Sequence, residues 1–218
     1  MKRTPEPDLM NDPLQALAYA NADFTVPHEA FCDEATRVFD RQETGRILDL
    51  GCGPADVTIR FARRFPIYTI LGVDGAEEML KIGRQSLNQA NLEQRVQLEL
   101  HYLPSATLPT AFDGIISNSL LHHLDDPMVM WQTISNHARA GAPIFVMDLM
   151  RPESKQQVDE LVQAYARDEP EVLRKDFEHS LHAAYRPAEV EMQLSRAGLG
   201  HLQVTRTSDR HLIVFGYR

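Results

Sequence analysis

The stretch Arg46-Ile47-Leu48-Asp49-Leu50-Gly51-Cys52-Gly53-Pro54-Ala55-Asp56 constrains this chain more than any other. Ile47, Leu48 and Leu50 read as a buried strand. Gly51 and Gly53 then permit a tight turn and let backbone approach a ligand without interference from a Cβ. A helix beginning near Ala55 follows, with Val57, Phe61 and Phe65 at four-residue steps forming a core-facing stripe. A strand, a glycine turn and a helix N-terminus form a cradle for an anionic or nucleotide-like group. Free backbone N–H groups and the positive end of the helix dipole point into it.

The second half of the cradle lies one strand later. Tyr68-Thr69-Ile70-Leu71-Gly72-Val73 is apolar and ends at Asp74. A carboxylate at the end of a second strand, roughly 20 residues past the glycines, is placed to accept ribose hydroxyls. The glycine turn alone is a weak signal; with Asp74 after it and Asp49 just before it, the signal is strong.

Ile47-Leu48-Asp49-Leu50-Gly51-Cys52-Gly53 resembles the first motif of the class I S-adenosylmethionine-dependent methyltransferases. Gly72-Val73-Asp74 with Glu77-Glu78-Met79-Leu80 resembles their second. Phe112-Asp113-Gly114-Ile115-Ile116-Ser117-Asn118 with Leu121-His122-His123-Leu124-Asp125-Asp126-Pro127 resembles their fourth-strand region. The likeness is dense over residues 40–150. It implies an α/β fold with a doubly wound seven-stranded sheet of order 3-2-1-4-5-7-6, strand seven antiparallel. It also implies S-adenosylmethionine as cofactor, with S-adenosylhomocysteine as product. The residues carried over as cofactor contacts are Asp49, Gly51, Cys52, Gly53, Asp74, Gly75, Met79 and Asn118. After the third strand, Val96–Leu100, many members have Gly-Asp-Ala, whose Asp binds the adenine amino group. Here His101-Tyr102-Leu103 stands there, so Tyr102 and Leu103 become the candidates on the adenine side.

Composition narrows the partners. A net charge of −9 argues against an extensive nucleic-acid footprint, which needs a basic face. Cys32 and Cys52 are the only two cysteines and make no disulfide framework, which points to a reducing cytoplasm. No apolar run is long enough to span a bilayer, and no charged-then-apolar leader precedes the fold. The 218 residues suit one domain with added segments.

Two such segments flank the fold. Residues 1–41 form an N-terminal helical or lid segment. Its first 13 residues, with Pro5, Pro7 and Pro13, read as loose or extended. Leu14–Ala20 reads as a short helix and residues 27–41 as a longer one. Tyr19 is a candidate cofactor contact, since related enzymes fold an aromatic N-terminal segment over the cofactor; a surface helix packing Tyr19 and Phe24 on the sheet edge is the equal alternative. The second segment, residues 149–185, follows strand five and reads as two helices forming a cap. It carries Arg151, Arg174, His179, His182 and Tyr185, which join Asp148 as candidate substrate contacts, each more ordinarily a solvated or paired residue. The tail supplies a helix from Pro187 and two strands, 201–207 and 211–217, which pair as an antiparallel hairpin.

The pair His122-His123 suggests a metal or a general base, but no carboxylate at ligand spacing accompanies it. The expectation is therefore no metal and no assigned catalytic residue. The sequence reads as a methyltransferase of a small-molecule acceptor. Rival readings are a methyltransferase of protein or RNA, a nicotinamide-dinucleotide oxidoreductase, and a non-catalytic binding module on the same fold. The dinucleotide reading lacks the third glycine, because Asp56 stands in its place. The oligomeric state is left open, with a homodimer one option.

Overall fold

The computed structural model describes residues 1–6, 11–39 and 44–218. Pro7, within the expected leader, and the end of the helix expected over 27–41 lie outside the described residues.

Seven strands form one sheet: β1 (Gly45–Leu50), β2 (Tyr68–Asp74), β3 (Val96–Leu100), β4 (Gly114–Asn118), β5 (Pro143–Leu149), β6 (Gln203–Arg206) and β7 (His211–Tyr217). Their order is β3-β2-β1-β4-β5-β7-β6. β1 pairs in parallel with β2 and β4, whereas β7 runs antiparallel to β5 and β6. The expected topology is therefore observed.

Period-2 alternation sends neighbouring side chains to opposite faces. Ile47, Ile70, Ile116 and Phe145 enter one apolar layer with Phe31, Phe39 and Phe61. Leu48, Leu71, Ile115 and Val146 enter the other with Trp131, Val190 and Leu194. The helices α1 (Pro13–Asn21), α2 (Thr25–Ala35), α3 (Asp56–Arg64), α4 (Glu77–Ala90), α5 (Met128–His137), α6 (Lys155–Tyr165), α7 (Glu171–Ala183) and α8 (Pro187–Arg196) supply the remaining layers. Trp131 is fully buried and donates its indole N–H to Gln193 Oε1 at 2.9 Å, joining α5 to α8. α2 stops earlier than its apolar spacing suggests. Val38 and Phe39 are buried from the turn beyond it.

Of the first residues, read from sequence as loose or extended, residues 1–6 form no helix or strand and are tied to the cap and to the 3₁₀ turn Leu121–His123. Thr4 N–H donates to the His182 carbonyl at 3.1 Å. Arg3 donates to the carbonyls of Ala183 (2.6 Å), His122 (3.0 Å) and Leu124 (3.0 Å), and stacks over the Tyr185 ring. A guanidinium with five donors can join three carbonyls from separate segments, and period-based reading has no term for that.

Candidate active site

The sheet order reverses between β1 and β4, and ligands of open α/β sheets bind at the carboxyl ends of the strands at such a point. A pocket opens there. It is lined by Asp49, Gly51, Cys52 and Gly53 from β1 and its turn, Asp74 and Ala76 after β2, and Met79 from α4. Asn118, Ser119, Leu120 and His123 complete the far wall, and Tyr19, His28 and Asp56 lie across the mouth.

The turn has left-handed backbone at Gly51 (φ +71°) and Gly53 (φ +51°), conformations that glycine adopts at little cost. The two glycines differ in their surroundings. A Cβ on Gly51 would stand 2.9 Å from Leu120 Cβ, whereas a Cβ on Gly53 would meet nothing within 4 Å. Gly51 is thus required by the packing of the fold, and Gly53 keeps open space at the ligand cradle. Gly53 N–H donates to Asp74 Oδ2 and Ala76 N–H to Asp74 Oδ1, each at 2.8 Å. Asp74 therefore locks the glycine turn to the start of α4 and retains a lone pair on each oxygen for a ligand hydroxyl.

Asp49 is buried, and its Oδ2 accepts the Thr58 hydroxyl at 2.6 Å. Burial pushes its pKa up to about 7 against that hydrogen bond, and the neighbouring Asp74 carboxylate adds to the rise. A cationic ligand group beside it would restore the ionised form. Asp74 is raised as well, by burial, despite the N–H donors that favour its charge.

Tyr19 reaches the pocket from α1. Its ring lies 4.9 Å from Phe24, which lies 5.4 Å from the His28 ring. Removal from water and the carboxylates of Asp74, Asp56 and Asp148 raise its phenol to about 12, so it stays a neutral donor. At the mouth, His28 Nδ1 and Asp56 Oδ2 are 2.6 Å apart, and Arg60 Nε donates to the same oxygen at 2.8 Å.

Of the residues expected at the cofactor, the structure gathers Tyr19, Asp49, Gly51, Cys52, Gly53, Asp74, Met79 and Asn118 around one pocket. Gly75, Tyr102 and Leu103 do not line it. Tyr102 is 63 % exposed, and Leu103 packs against the apolar layer of Leu48 and Leu71. The chain past β3 thus turns Leu103 toward the apolar layer and leaves Tyr102 at the surface. His28, Asp56, Ala76, Ser119, Leu120 and His123 complete the wall without having been expected as cofactor contacts. Ser119 has φ +57° and no local sequence signal beyond its place after β4.

Three of the candidate substrate contacts, Asp148 at the end of β5 and Arg151 and Tyr185 in the cap, have partners within the fold. Asp148 takes the Leu121 N–H at 2.7 Å and faces His122 Nδ1 at 2.6 Å. Arg151 is buried, bonding the Ala184 carbonyl at 2.8 Å and Glu189 at 2.5 Å. Tyr185 donates to the Leu124 carbonyl at 3.2 Å. None of Asp148, Arg151, Arg174, His179, His182 and Tyr185 lines the pocket.

A family model described as a methyltransferase domain matches residues 48–144, the span that holds this site. Residues 48–144 are thus similar to a methyltransferase domain. A trans-aconitate 2-methyltransferase of Afipia carboxidovorans is 27 % identical over 161 residues, covering 70 % of this chain and 59 % of the relative. Another, from Variovorax paradoxus, is 32 % identical over 129 residues, covering 59 % and 47 %. The chain thus spans roughly half the length of these curated relatives. Among solved structures, an S-adenosylmethionine-dependent methyltransferase from Aquifex aeolicus superposes with a TM-score of 0.69 at 19 % identity, covering 94 % of this chain and 98 % of that one. A plantazolicin methyltransferase in complex with a substrate analogue and S-adenosylhomocysteine superposes with 0.70 at 15 %, covering 95 % and 91 %. These likenesses establish the fold.

S-adenosylmethionine is the cofactor that these likenesses imply, and the residues present fit it. Gly53 leaves a cradle that any side chain would fill. Asp74 offers ribose acceptors, and Asp49 stands ready for an ammonium group. No helix among the described residues is long and apolar enough to cross a membrane.

Proposed function

We propose that this chain methylates a small-molecule acceptor, with S-adenosylmethionine supplying an already activated methyl group. The observation that carries the reading is the pocket itself: Asp49, Gly53 and Asp74 on its floor, with Tyr19 brought across it by α1. Asp74 holds the ribose and Asp49 the amino group of the methionine. Tyr19 and the far wall of Asn118, Ser119 and Leu120 exclude water around the reacting centre. Catalysis then rests on alignment of acceptor, methyl and sulfur within a closed pocket.

The relatives named for trans-aconitate support a small acceptor. Trans-aconitate itself suits this pocket poorly. With Asp49 and Asp74 taken up by the donor, three carboxylates would meet Asp56 and a lining with neither lysine nor arginine. An uncharged, protic acceptor fits better.

Calorimetric titration with S-adenosylhomocysteine and with NADH, followed by methyl-transfer assays on a panel of neutral acceptors and trans-aconitate, tests the reading. Binding of S-adenosylhomocysteine alone, with turnover of a neutral acceptor, is expected. Preference for NADH would refute the methyl-transfer reading, and efficient turnover of trans-aconitate would refute the acceptor class.

A further inference from the structure

The histidine pair has a carboxylate partner that comes from the far end of the described fold. Glu6, His122 and His123 each present a ligand atom, and the three atoms lie within 4.8 Å of one another. Consecutive residues of a 3₁₀ turn are separated by about 120° around its axis and normally diverge. Here the two imidazole rings sit 4.1 Å apart between centroids, tilted by 35°.

The surroundings hold these three side chains in place. His122 Nδ1 is committed to Asp148 Oδ1 at 2.6 Å, leaving Nε2 as its remaining ligand atom. Asp148 is fixed in turn by the backbone N–H groups of Leu121 and Leu149, each at 2.7 Å. Glu6 Oε1 accepts the Ser180 hydroxyl at 2.6 Å, and its Oε2 contacts His123 Nδ1. Arg3 clamps the turn by bonding the carbonyls of His122 and Leu124. A carboxylate on the far nitrogen of one histidine and a hydroxyl on the carboxylate ligand are the supports that surround protein metal ions. Asp148 is 1 % exposed, and the Glu6 side chain only 10 %.

We propose that Glu6, His122 and His123 form a binding site for a divalent first-row transition ion, such as Zn²⁺, that fastens the N-terminal strap to the turn after β4. Two imidazoles and one carboxylate are a donor set suited to such ions and not to Mg²⁺ or Ca²⁺, which take oxygen ligands. Three protein ligands leave coordination positions open. His123 also lines the candidate active-site pocket, so an ion here adjoins that pocket. The site itself rests on the cluster and not on the methyl-transfer reading.

The alternative is a clasp made of hydrogen bonds and ion pairs alone. The test uses the whole chain after treatment with a chelator and dialysis. Zn²⁺ is titrated against a chromogenic indicator, and Co²⁺ is added separately for its visible absorption spectrum. One Zn²⁺ per chain is expected, with Co²⁺ absorption bands of low coordination number. Glu6→Gln and His123→Ala, made separately and checked for folding by circular dichroism, should each weaken binding at least ~tenfold. His201→Ala, whose imidazole contacts the Tyr217 carbonyl in the tail, should bind as the parent does. No stoichiometric binding, or binding unaltered in both Glu6→Gln and His123→Ala, would overturn the proposal and leave the clasp. S-adenosylhomocysteine affinity measured in parallel on Glu6→Gln, whose site lies outside the pocket lining, reports on the methyl-donor pocket separately.

Discussion

The two glycines of the turn separate fold from ligand at the level of single residues. An Ala at position 53 keeps φ near +51° at a cost of about 1–2 kcal/mol and places its methyl in open space. Gly53→Ala should therefore stay folded while S-adenosylhomocysteine affinity, measured by calorimetry, drops about tenfold or more. Gly51→Val is different: its Cβ collides with Leu120 at a positive φ. It should lower stability by ~2–4 kcal/mol in urea denaturation, so any loss of binding would come through the fold. Asp49 makes a pH prediction. Its folded pKa of about 7 lies above the ordinary aspartate value of 3.8, so the stability it contributes is complete below about 3.8 and is lost as pH rises through about 7. Asp49→Asn should abolish that part of the decline and be the more stable protein at pH 8, by a few kcal/mol at most. If the two stability curves run parallel from pH 4 to pH 8, the assignment fails. Asp49 and Asp74 were legible in sequence because each follows directly from its strand and the glycine turn. Tyr102 lies outside the pocket lining, because counting from the end of β3 fixes position along the chain but not which side chain turns inward. Glu6 was invisible beside His122 and His123 because its partners lie far off in sequence; its contact with Ser180 spans 174 positions.

At the scale of elements, the strands and the inner helices follow from period-2 and four-residue apolar spacing, and the structure places them where the sequence does. The first six residues do not follow from such patterns, because their contacts are polar and made to backbone carbonyls. Arg3 is the anchor, with three carbonyls and the Tyr185 face. Arg3→Ala should cost about 1–3 kcal/mol, seen as a lower urea midpoint. Arg3→Lys should recover only part of it, since an ammonium cannot span the same three acceptors in one plane. Equal stability of Arg3→Ala and the parent would show the strap to be dispensable. The cap, too, reads differently once its partners are known. Arg151 and Tyr185 hold the cap to α8 and to the turn after the histidines, so their substitution should act on stability before it acts on any substrate constant.

Across the whole molecule, the strap, α1 and the cap meet on the side where the strands end. Gln15 Nε2 of α1 donates to Asp176 Oδ2 of α7 at 3.0 Å. Tyr19, one turn further along α1, lies in the pocket. Ala16 is fully buried against Ala76 and Met79, next to Asp74. A single short helix thus touches both the cap and the loop that follows Asp74. α1 has no other large apolar anchor, for Leu14 and Leu17 are 78 % and 50 % exposed. Such an element opens at low free-energy cost, as binding-site lids generally do. A ligand that fills the pocket beneath Tyr19 should hold α1 down and, through Gln15 and Asp176, steady α7 with it. Hydrogen–deuterium exchange should show this directly. Saturating S-adenosylhomocysteine is expected to slow exchange over 13–21 and 171–183 together, while β4 and β5, already buried on both faces, change little. Tyr19→Ala should keep the sheet's protection and lose the coupled slowing in both helices. Protection confined to the glycine turn and α4, with α1 exchanging as fast as before, would mean that the pocket binds its ligand without a lid and that α1 is only a surface helix.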